Sequence, residues 1–388
     1  MEISACVKYV GVNDHQVDLF EGQYKVPNGM SYNSYVILDE KIAVMDTVDG
    51  FFTEEWLNNV EQVLDGKMPD YLVIQHMEPD HSASIPAFLK KYPKVTVVST
   101  AKGFQFMEQF FPEFFAGQGL PAEQRIVAAN DGVLELGQHS LHFVYAPMVH
   151  WPEVMMTYEA TEKILFAADG FGKFGALDVE EEWTDEARRY YIGIVGKYGP
   201  QVQAVLKKAA GLDIQTICSL HGPVLKENLG FYLEKYDRWS SYQPEESGVV
   251  IAYASVYGNT RNAAEYLADV LQEKGQKTVL YDLARCDKAK AVADAFRYDR
   301  LVLAGITYNG DLFPCMRSFI EGLTERNYQN RKVAIIENGT WAPMAGKLIL
   351  GMFEKSKNLT FTETKVSIKS AMNAQNKEEI GKLAEELS

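Results

Sequence analysis

Two rhythms of hydrophobic and polar positions divide the chain. In the first half, short apolar runs are separated by polar turns at irregular intervals. Tyr35-Val36-Ile37-Leu38 and Ile42-Ala43-Val44-Met45 flank Asp39-Glu40-Lys41 and predict a hairpin. Residues 70–74 predict a buried strand that ends abruptly in His76-Met77-Glu78-Pro79-Asp80-His81. A helix is predicted from Ser82, whose hydroxyl is placed to cap it. Further strands are predicted at 95–99, 141–145, 164–167 and 214–218, with helices at 185–197 and 201–210. Hairpins first, with helices interspersed, predict a mixed αββα sandwich rather than a purely parallel sheet.

Around Tyr242-Gln243-Pro244-Glu245-Glu246-Ser247-Gly248 the chain turns polar and turn-rich. That stretch sets a boundary between domains 1–246 and 247–388. Beyond it the pattern becomes regular. Strands at 249–254, 278–282, 300–304, 332–337 and 365–368 alternate with helices at 261–274, 288–296, 315–323 and 377–387. This alternation predicts a doubly wound α/β domain, in which ligands bind at the carboxyl ends of the strands.

Bulk composition narrows the class. A length of 388 residues exceeds one ordinary core, and a 47% hydrophobic share with 23% charged residues is that of a globular protein. The net charge of −15 argues against nucleic acid or an anionic membrane as partner. No apolar run approaches the roughly 18 residues of a membrane span, and Met1-Glu2-Ile3-Ser4 lacks a signal peptide's basic start. A cytoplasmic location is the expectation. Cys6, Cys218, Cys286 and Cys315 are scattered without a C-x-x-C pair, which argues against structural disulfides and an all-cysteine metal site.

The densest chemistry is His76-x-Glu78-x-Asp80-His81, with its metal-capable side chains directly after a buried strand. Buried carboxylates are costly unless paired or metal-bound, so an ordinary packing role is a poor account of this cluster. His150, Asp169 and His221 each follow another predicted strand. His15, His139 and His142 read as ordinary hydrogen-bonded histidines. Four imidazoles and three carboxylates are too many for one ion and suit two, roughly 3.5–4 Å apart under a bridging carboxylate. Imidazole with carboxylate admits zinc, iron or manganese. Glu78 adds an anionic oxygen, which favours a harder, more oxidised ion and tilts the site toward iron. Zinc has no redox chemistry of its own.

In the second half, Ala254-Ser255-Val256-Tyr257-Gly258-Asn259-Thr260 closes one strand and opens a helix. Its hydroxyls and the N–H groups of the helix start form an anion cradle suited to phosphate. Gly305-Ile306-Thr307-Tyr308-Asn309-Gly310-Asp311 and Glu337-Asn338-Gly339-Thr340-Trp341-Ala342 follow the next two central strands. Tyr308 and Trp341 are placed to flank an isoalloxazine ring.

With both sets of residues in view, the whole chain resembles the flavodiiron proteins (A-type flavoproteins). The resemblance implies a metallo-β-lactamase-like αββα di-iron domain followed by a flavodoxin-like FMN domain. Carried over by motif, His76, Glu78 and His150 would hold one iron, Asp80, His81 and His221 the other, and Asp169 would bridge them. Ser255 to Thr260 would bind the phosphate, with Thr307 to Gly310 and Asn338 to Trp341 at the flavin ring. The resemblance also implies reduction of dioxygen to water, of nitric oxide to nitrous oxide, or of both. Electrons would come through FMN from rubredoxin or a related carrier, and a head-to-tail homodimer or dimer of dimers would set one subunit's flavin beside the other's irons. Two departures stand out: the third flavin loop lacks a glycine-serine-tyrosine run, and the span from Asp169 to His221 is short. Tyr24, Tyr32 and Trp151 are aromatics expected near the site as packing. Two rival readings are a zinc hydrolase of the lactamase superfamily and a flavin electron carrier with a metal-free docking domain. Glu78 and the second domain weigh against the hydrolase, and the complete ligand set weighs against the carrier.

Overall fold

Period-two alternation in the first half does resolve into two facing sheets. The computed structural model describes residues 3–117 and 120–388; Met1 and Glu2, where the N-terminal reading begins, lie outside them. The first sheet runs β1 (Val7–Tyr9), β2 (Tyr35–Ile37), β3 (Ala43–Met45), β4 (Tyr71–Val73), β5 (Thr96–Ser99) and β6 (Arg125–Val127). Its first two pairings are antiparallel and the rest parallel. The second sheet runs β7 (Val133–Glu135), β8 (Ser140–Tyr145), β9 (Met155–Glu159), β10 (Ile164–Phe166) and β11 (Thr216–Cys218), antiparallel except for the last pair. Tyr35, Ile37, Ala43, Met45, Val73 and Val98 of one sheet meet Leu141, Phe143, Met155, Ile164 and Phe166 of the other in a single core. Burial of each large side chain contributes about 1.5–3 kcal/mol. Val36, Val44 and Leu72 point the opposite way and are also buried, so the outer face of the first sheet is covered too.

The structure amends two local expectations. Ser82 caps no helix: Pro79–Ser82 is itself one turn, opened by Pro79, and the Ser82 hydroxyl donates to the Met77 carbonyl at 2.9 Å. The next helix is Ile85–Lys91. The helix expected at 185–197 is α-helical only over Trp183–Tyr190, then widens to a π-turn at Tyr191–Val195 and tightens to a 3-10 turn at Gly196–Tyr198. β-Branched residues interleaved with Gly193 and Gly196 hold the regular ladder poorly there.

The chain falls into two compact units, Met1–Tyr191 with Pro200–Asp237, and Ile192–Gly199 with Arg238–Ser388. Glu246, on the first-domain side of the compositional boundary, opens the first strand of the second unit and is ion-paired there with Lys277 and Arg297. That unit holds β12 (Glu246–Tyr253), β13 (Thr278–Asp282), β14 (Tyr298–Tyr308), β15 (Asp311–Leu312), β16 (Arg331–Asn338), β17 (Leu359–Phe361) and β18 (Val366–Ile368). The parallel order is β13-β12-β14-β16-β17, with β18 continuing the edge along β16. The order reverses at β12, which places the ligand crevice at the carboxyl ends of β12 and β14.

Candidate metal centre and flavin cradle

Four strand ends deliver the seven predicted ligands of the first unit to one place. β4 runs into the turn carrying His76, Glu78, Asp80 and His81; His150 follows β8, Asp169 follows β10 and His221 follows β11. Donor atoms of His76, Glu78, His150 and Asp169 form one group and those of Asp80, His81 and His221 another, each within 4.8 Å. Asp169 stands between them: Oδ2 lies 3.1 Å from His150 Nε2 and 3.5 Å from His76 Nε2, while Oδ1 lies 3.3 Å from His81 Nε2. Glu78 Oε2 sits 3.2 Å from His76 Nε2 and 3.0 Å from His150 Nε2. Asp80 Oδ2 is 3.3 Å from both His81 and His221.

These donors fit two cations. Both oxygens of Asp80 and of Asp169 are shut off from solvent without a hydrogen bond. The Nε2 atoms of His81 and His221 face each other at 3.1 Å. For His221 and His76 the partner of the other ring nitrogen fixes what Nε2 offers. His221 Nδ1 lies 2.7 Å from the Ser31 carbonyl, which can only accept, so the proton is on Nδ1 and Nε2 offers a lone pair. His76 Nδ1 likewise donates to Glu153 Oε1 at 2.8 Å. Without metal, protons must hold these charges. Burial opposes charge on His76, but Asp169 and hydrogen bonds to Glu153 and Glu78 keep its pKa well above the ordinary value. Against the same burial, Asp169 and Glu78 raise His150 to about 9. Asp169 itself, though buried, is held well below the usual carboxylate range, chiefly by His76.

Several residues around this site escaped sequence reasoning. Glu153, besides holding His76, accepts from the Met77 N–H at 2.9 Å. Its only sequence signal is an acid three residues past His150. Asp46, buried at the end of β3, accepts from the Gln75 and His76 N–H groups and fixes the start of the ligand turn. Tyr190 lies with its ring 5.5 Å from that of His221, and its hydroxyl is buried without a partner. Asp46, Met148 and Ala168 adopt φ of 53°, 64° and 47°, so strained non-glycine backbone collects beside the ligands. Of the aromatics expected nearby, the Trp151 ring lies 5.3 Å from His76 and the Tyr32 ring 6.1 Å from His221, whereas Tyr24 packs on Phe174.

In the second unit the three expected loops sit at the carboxyl ends of β12, β14 and β16. Gly258 at φ 89° begins the helix Asn259–Glu273, whose first N–H groups have no carbonyl within the helix. Ser255 Oγ accepts from the Gly258 N–H at 3.2 Å and shapes this turn. Thr260 is buried, and its hydroxyl accepts from Asn338 Nδ2 at 3.3 Å, which ties the first loop to the third. Strand β14 runs on through Tyr308, and Asn309 and Gly310 (φ 51° and 72°) form a tight hairpin into β15. The Thr307 hydroxyl is spent within the protein, accepting from the Met344 and Ala345 N–H groups at the start of the helix Ala345–Met352. Thr340 Oγ1 bonds Ser370 Oγ at 3.1 Å beside Gly339. Tyr257 and Trp341 are 92% and 90% exposed at this rim, and Val256 and Tyr308 are partly exposed. Large aromatics left in water beside an anion cradle fit a planar ligand that would stack on them.

A paired-cation centre on an αββα sandwich, followed by a doubly wound domain with a flavin-type crevice, defines a redox flavoprotein with a dinuclear metal site. Comparison with known proteins agrees. The family described as ODP family beta lactamase matches residues 30–222, and the one described as flavodoxin domain matches 250–363. The structure superposes on the flavodiiron protein from Giardia intestinalis with a TM-score of 0.92 and 26% identity, over 100% of this chain and 95% of that one. It superposes on the rubredoxin oxygen:oxidoreductase of Desulfovibrio gigas with a TM-score of 0.91 and 25% identity, over 99% and 96%. The anaerobic nitric oxide reductase flavorubredoxin of Vibrio vulnificus is 28% identical over 86% of this chain and 69% of its own length. The chain belongs to the flavodiiron proteins, oxidoreductases whose cofactors are FMN and a non-haem pair of irons.

Proposed function

We propose that this protein reduces dioxygen to water, nitric oxide to nitrous oxide, or both, with electrons relayed through FMN from an external carrier such as rubredoxin. In this reading His76, Glu78 and His150 hold one iron, Asp80, His81 and His221 the second, and Asp169 bridges them. The observation that carries it is the division of the Asp169 oxygens between the two histidine groups, 3.1 Å to His150 and 3.3 Å to His81. FMN is held by Ser255, Val256, Tyr257, Gly258, Asn259 and Thr260 at its phosphate, and by the loops Thr307–Gly310 and Asn338–Trp341 at its ring. When bound, the irons supply coordination and electrons for a diatomic gas, and FMN supplies a two-electron store.

The chain's own groups do the rest. Glu153 and the Ser31 carbonyl hold His76 and His221 in the tautomer that presents Nε2. His76, His81, Asp169 and His221 are closed to solvent, whereas the side chains of Glu78, Asp80 and His150 keep 16%, 10% and 9% exposure. A gas therefore enters over Glu78 and His150. Burial, with Asp169 and Glu78 beside it, pushes the Tyr190 phenol well above its ordinary pKa, so the hydroxyl keeps its proton and is a hydrogen-bond donor at the site wall. The relatives named for rubredoxin and for nitric oxide support the donor and substrate classes. A head-to-tail dimer or dimer of dimers fits the family.

The test is anaerobic stopped-flow of the fully reduced holoenzyme, after iron and FMN are quantified, against each gas separately. Rapid reoxidation by one gas, with near two irons and one FMN per chain, is the expected result and names the substrate. Absence of iron, or inertness toward both gases, would return the hydrolase and electron-carrier readings.

A further inference from the structure

At the end of the sandwich opposite the seven-ligand cluster, a second set of donors meets. Cys6 precedes β1, His139 precedes β8 and Glu162 precedes β10, and one donor atom from each lies within 4.8 Å of the others. These residues share no sequence motif; only the facing of the two sheets brings them together.

The surroundings are built around them. Asp39, just beyond β2, accepts from the His139 main-chain N–H at 2.7 Å and lies 2.8 Å from its Nδ1. A carboxylate there places the ring proton on Nδ1, so Nε2 turns its lone pair toward Glu162 Oε1, 3.7 Å away. A lone pair facing a carboxylate is repulsive unless a second ring proton or a metal cation lies between them. The other Glu162 oxygen, Oε2, is closed to solvent with no hydrogen-bond partner. Glu159 is occupied elsewhere: its oxygens accept from the Thr161 and Glu162 N–H groups and fix the turn that carries Glu162. The Ser4 hydroxyl accepts from the Cys6 and Val7 N–H groups, and the Cys6 carbonyl accepts from Leu38, so the thiol is anchored beside Asp39. Asp39, Glu159 and Glu162 face this thiol with Lys8 as the opposing charge. The place is anionic, and the His139 side chain is only 5% exposed.

We propose that Cys6, His139 and Glu162 form a mononuclear site for a borderline-soft divalent cation of the zinc class, with Asp39 holding His139 in the ligating tautomer. One sulfur, one nitrogen and one oxygen with water in the fourth position is a zinc-type donor set, and the thiolate disfavours magnesium or calcium. The Asp39–His139 pair is the usual carboxylate support of a metal-bound imidazole. Binding displaces the thiol proton of Cys6 to solvent and ties the start of the chain to two turns of the second sheet. Burial and the neighbouring acids raise the free thiol above its ordinary pKa, so affinity increases with pH. The role is structural and independent of gas reduction.

The test is zinc K-edge absorption spectroscopy on the iron- and FMN-loaded protein carrying one added equivalent of zinc, wild type against Cys6→Ser. The seven-ligand cluster contains no sulfur, so a sulfur scatterer at about 2.3 Å excludes that cluster, and its loss in Cys6→Ser separates this site from Cys218, Cys286 and Cys315. The expected result is one such scatterer in the wild type, its loss in Cys6→Ser, and unchanged iron and FMN content. Zinc should raise the melting temperature of the wild type but not of Cys6→Ser. Glu162→Gln, which keeps the thiol and the shape of the side chain, should bind zinc at least tenfold more weakly. Only nitrogen and oxygen scatterers in the wild type, or a sulfur signal that survives in Cys6→Ser, would overturn the proposal.

Discussion

Glu153 is the residue whose importance is easiest to measure, because it touches His76 without belonging to the seven-ligand set. Glu153→Gln keeps the volume but removes the anionic acceptor, and should weaken iron retention about 10–100-fold with little change in folding. Iron loss to a chelator, followed over time, checks this; unaltered retention would deny Glu153 its orienting role. Protons compete for the same histidines. His150 is raised to about 9, so near neutral pH it carries a proton that a cation must displace. Ferrous affinity of the metal-free protein should therefore rise as pH increases toward about 9, and a flat or falling profile in a binding titration would contradict the assignment. Tyr190→Phe should retain both irons yet lower kcat by roughly tenfold or more, as loss of a hydrogen-bond donor beside the reacting atoms does. An undiminished kcat would leave Tyr190 a packing residue. The six-residue motif was plain in sequence because its metal-capable side chains adjoin one another. Glu153, Asp46 and Tyr190 were not, because a lone acid or tyrosine carries no signal until folding sets it against an imidazole.

Among the elements, the flavin loops show how a strand end becomes a scaffold. The pattern ended the third strand of the second domain at 304, yet β14 continues to Tyr308 because Asn309-Gly310 closes a hairpin with β15. An Asn-Gly pair is a hairpin signal, but the second strand is only Asp311–Leu312, too short for its alternation to register. Thr307, expected at the flavin ring, has its hydroxyl at the start of the helix Ala345–Met352. Thr307→Val should cost about 1 kcal/mol in denaturant unfolding through loss of that cap. Its effect on FMN affinity should be smaller than that of Gly310→Val, which forces a β-branched residue into φ 72° and distorts the loop itself. FMN dissociation constants for the pair would show the order. Equal effects would mean that Thr307 contacts the flavin directly.

On the scale of the whole molecule, all seven proposed iron ligands lie in the first compact unit and every proposed FMN residue in the second. Asp169→Asn should accordingly lose iron and gas reduction while keeping one FMN per chain, as flavin absorbance and metal analysis would report. Joint loss of both cofactors would show that the two units do not hold them independently. Sequence by itself determined the change from irregular hairpins to regular βα alternation, and it picked out the seven candidate ligands and the candidate phosphate turn at Gly258. Each is a local pattern, carried by side-chain period or by residues adjacent along the chain. Tertiary structure alone decided that Asp169 stands between two histidine groups, that Glu153 and Ser31 choose the tautomers, and that Cys6, His139 and Glu162 meet at the far end. Those outcomes depend on which strands pair and which faces bury, and closure over tens of residues leaves no periodic trace in the chain.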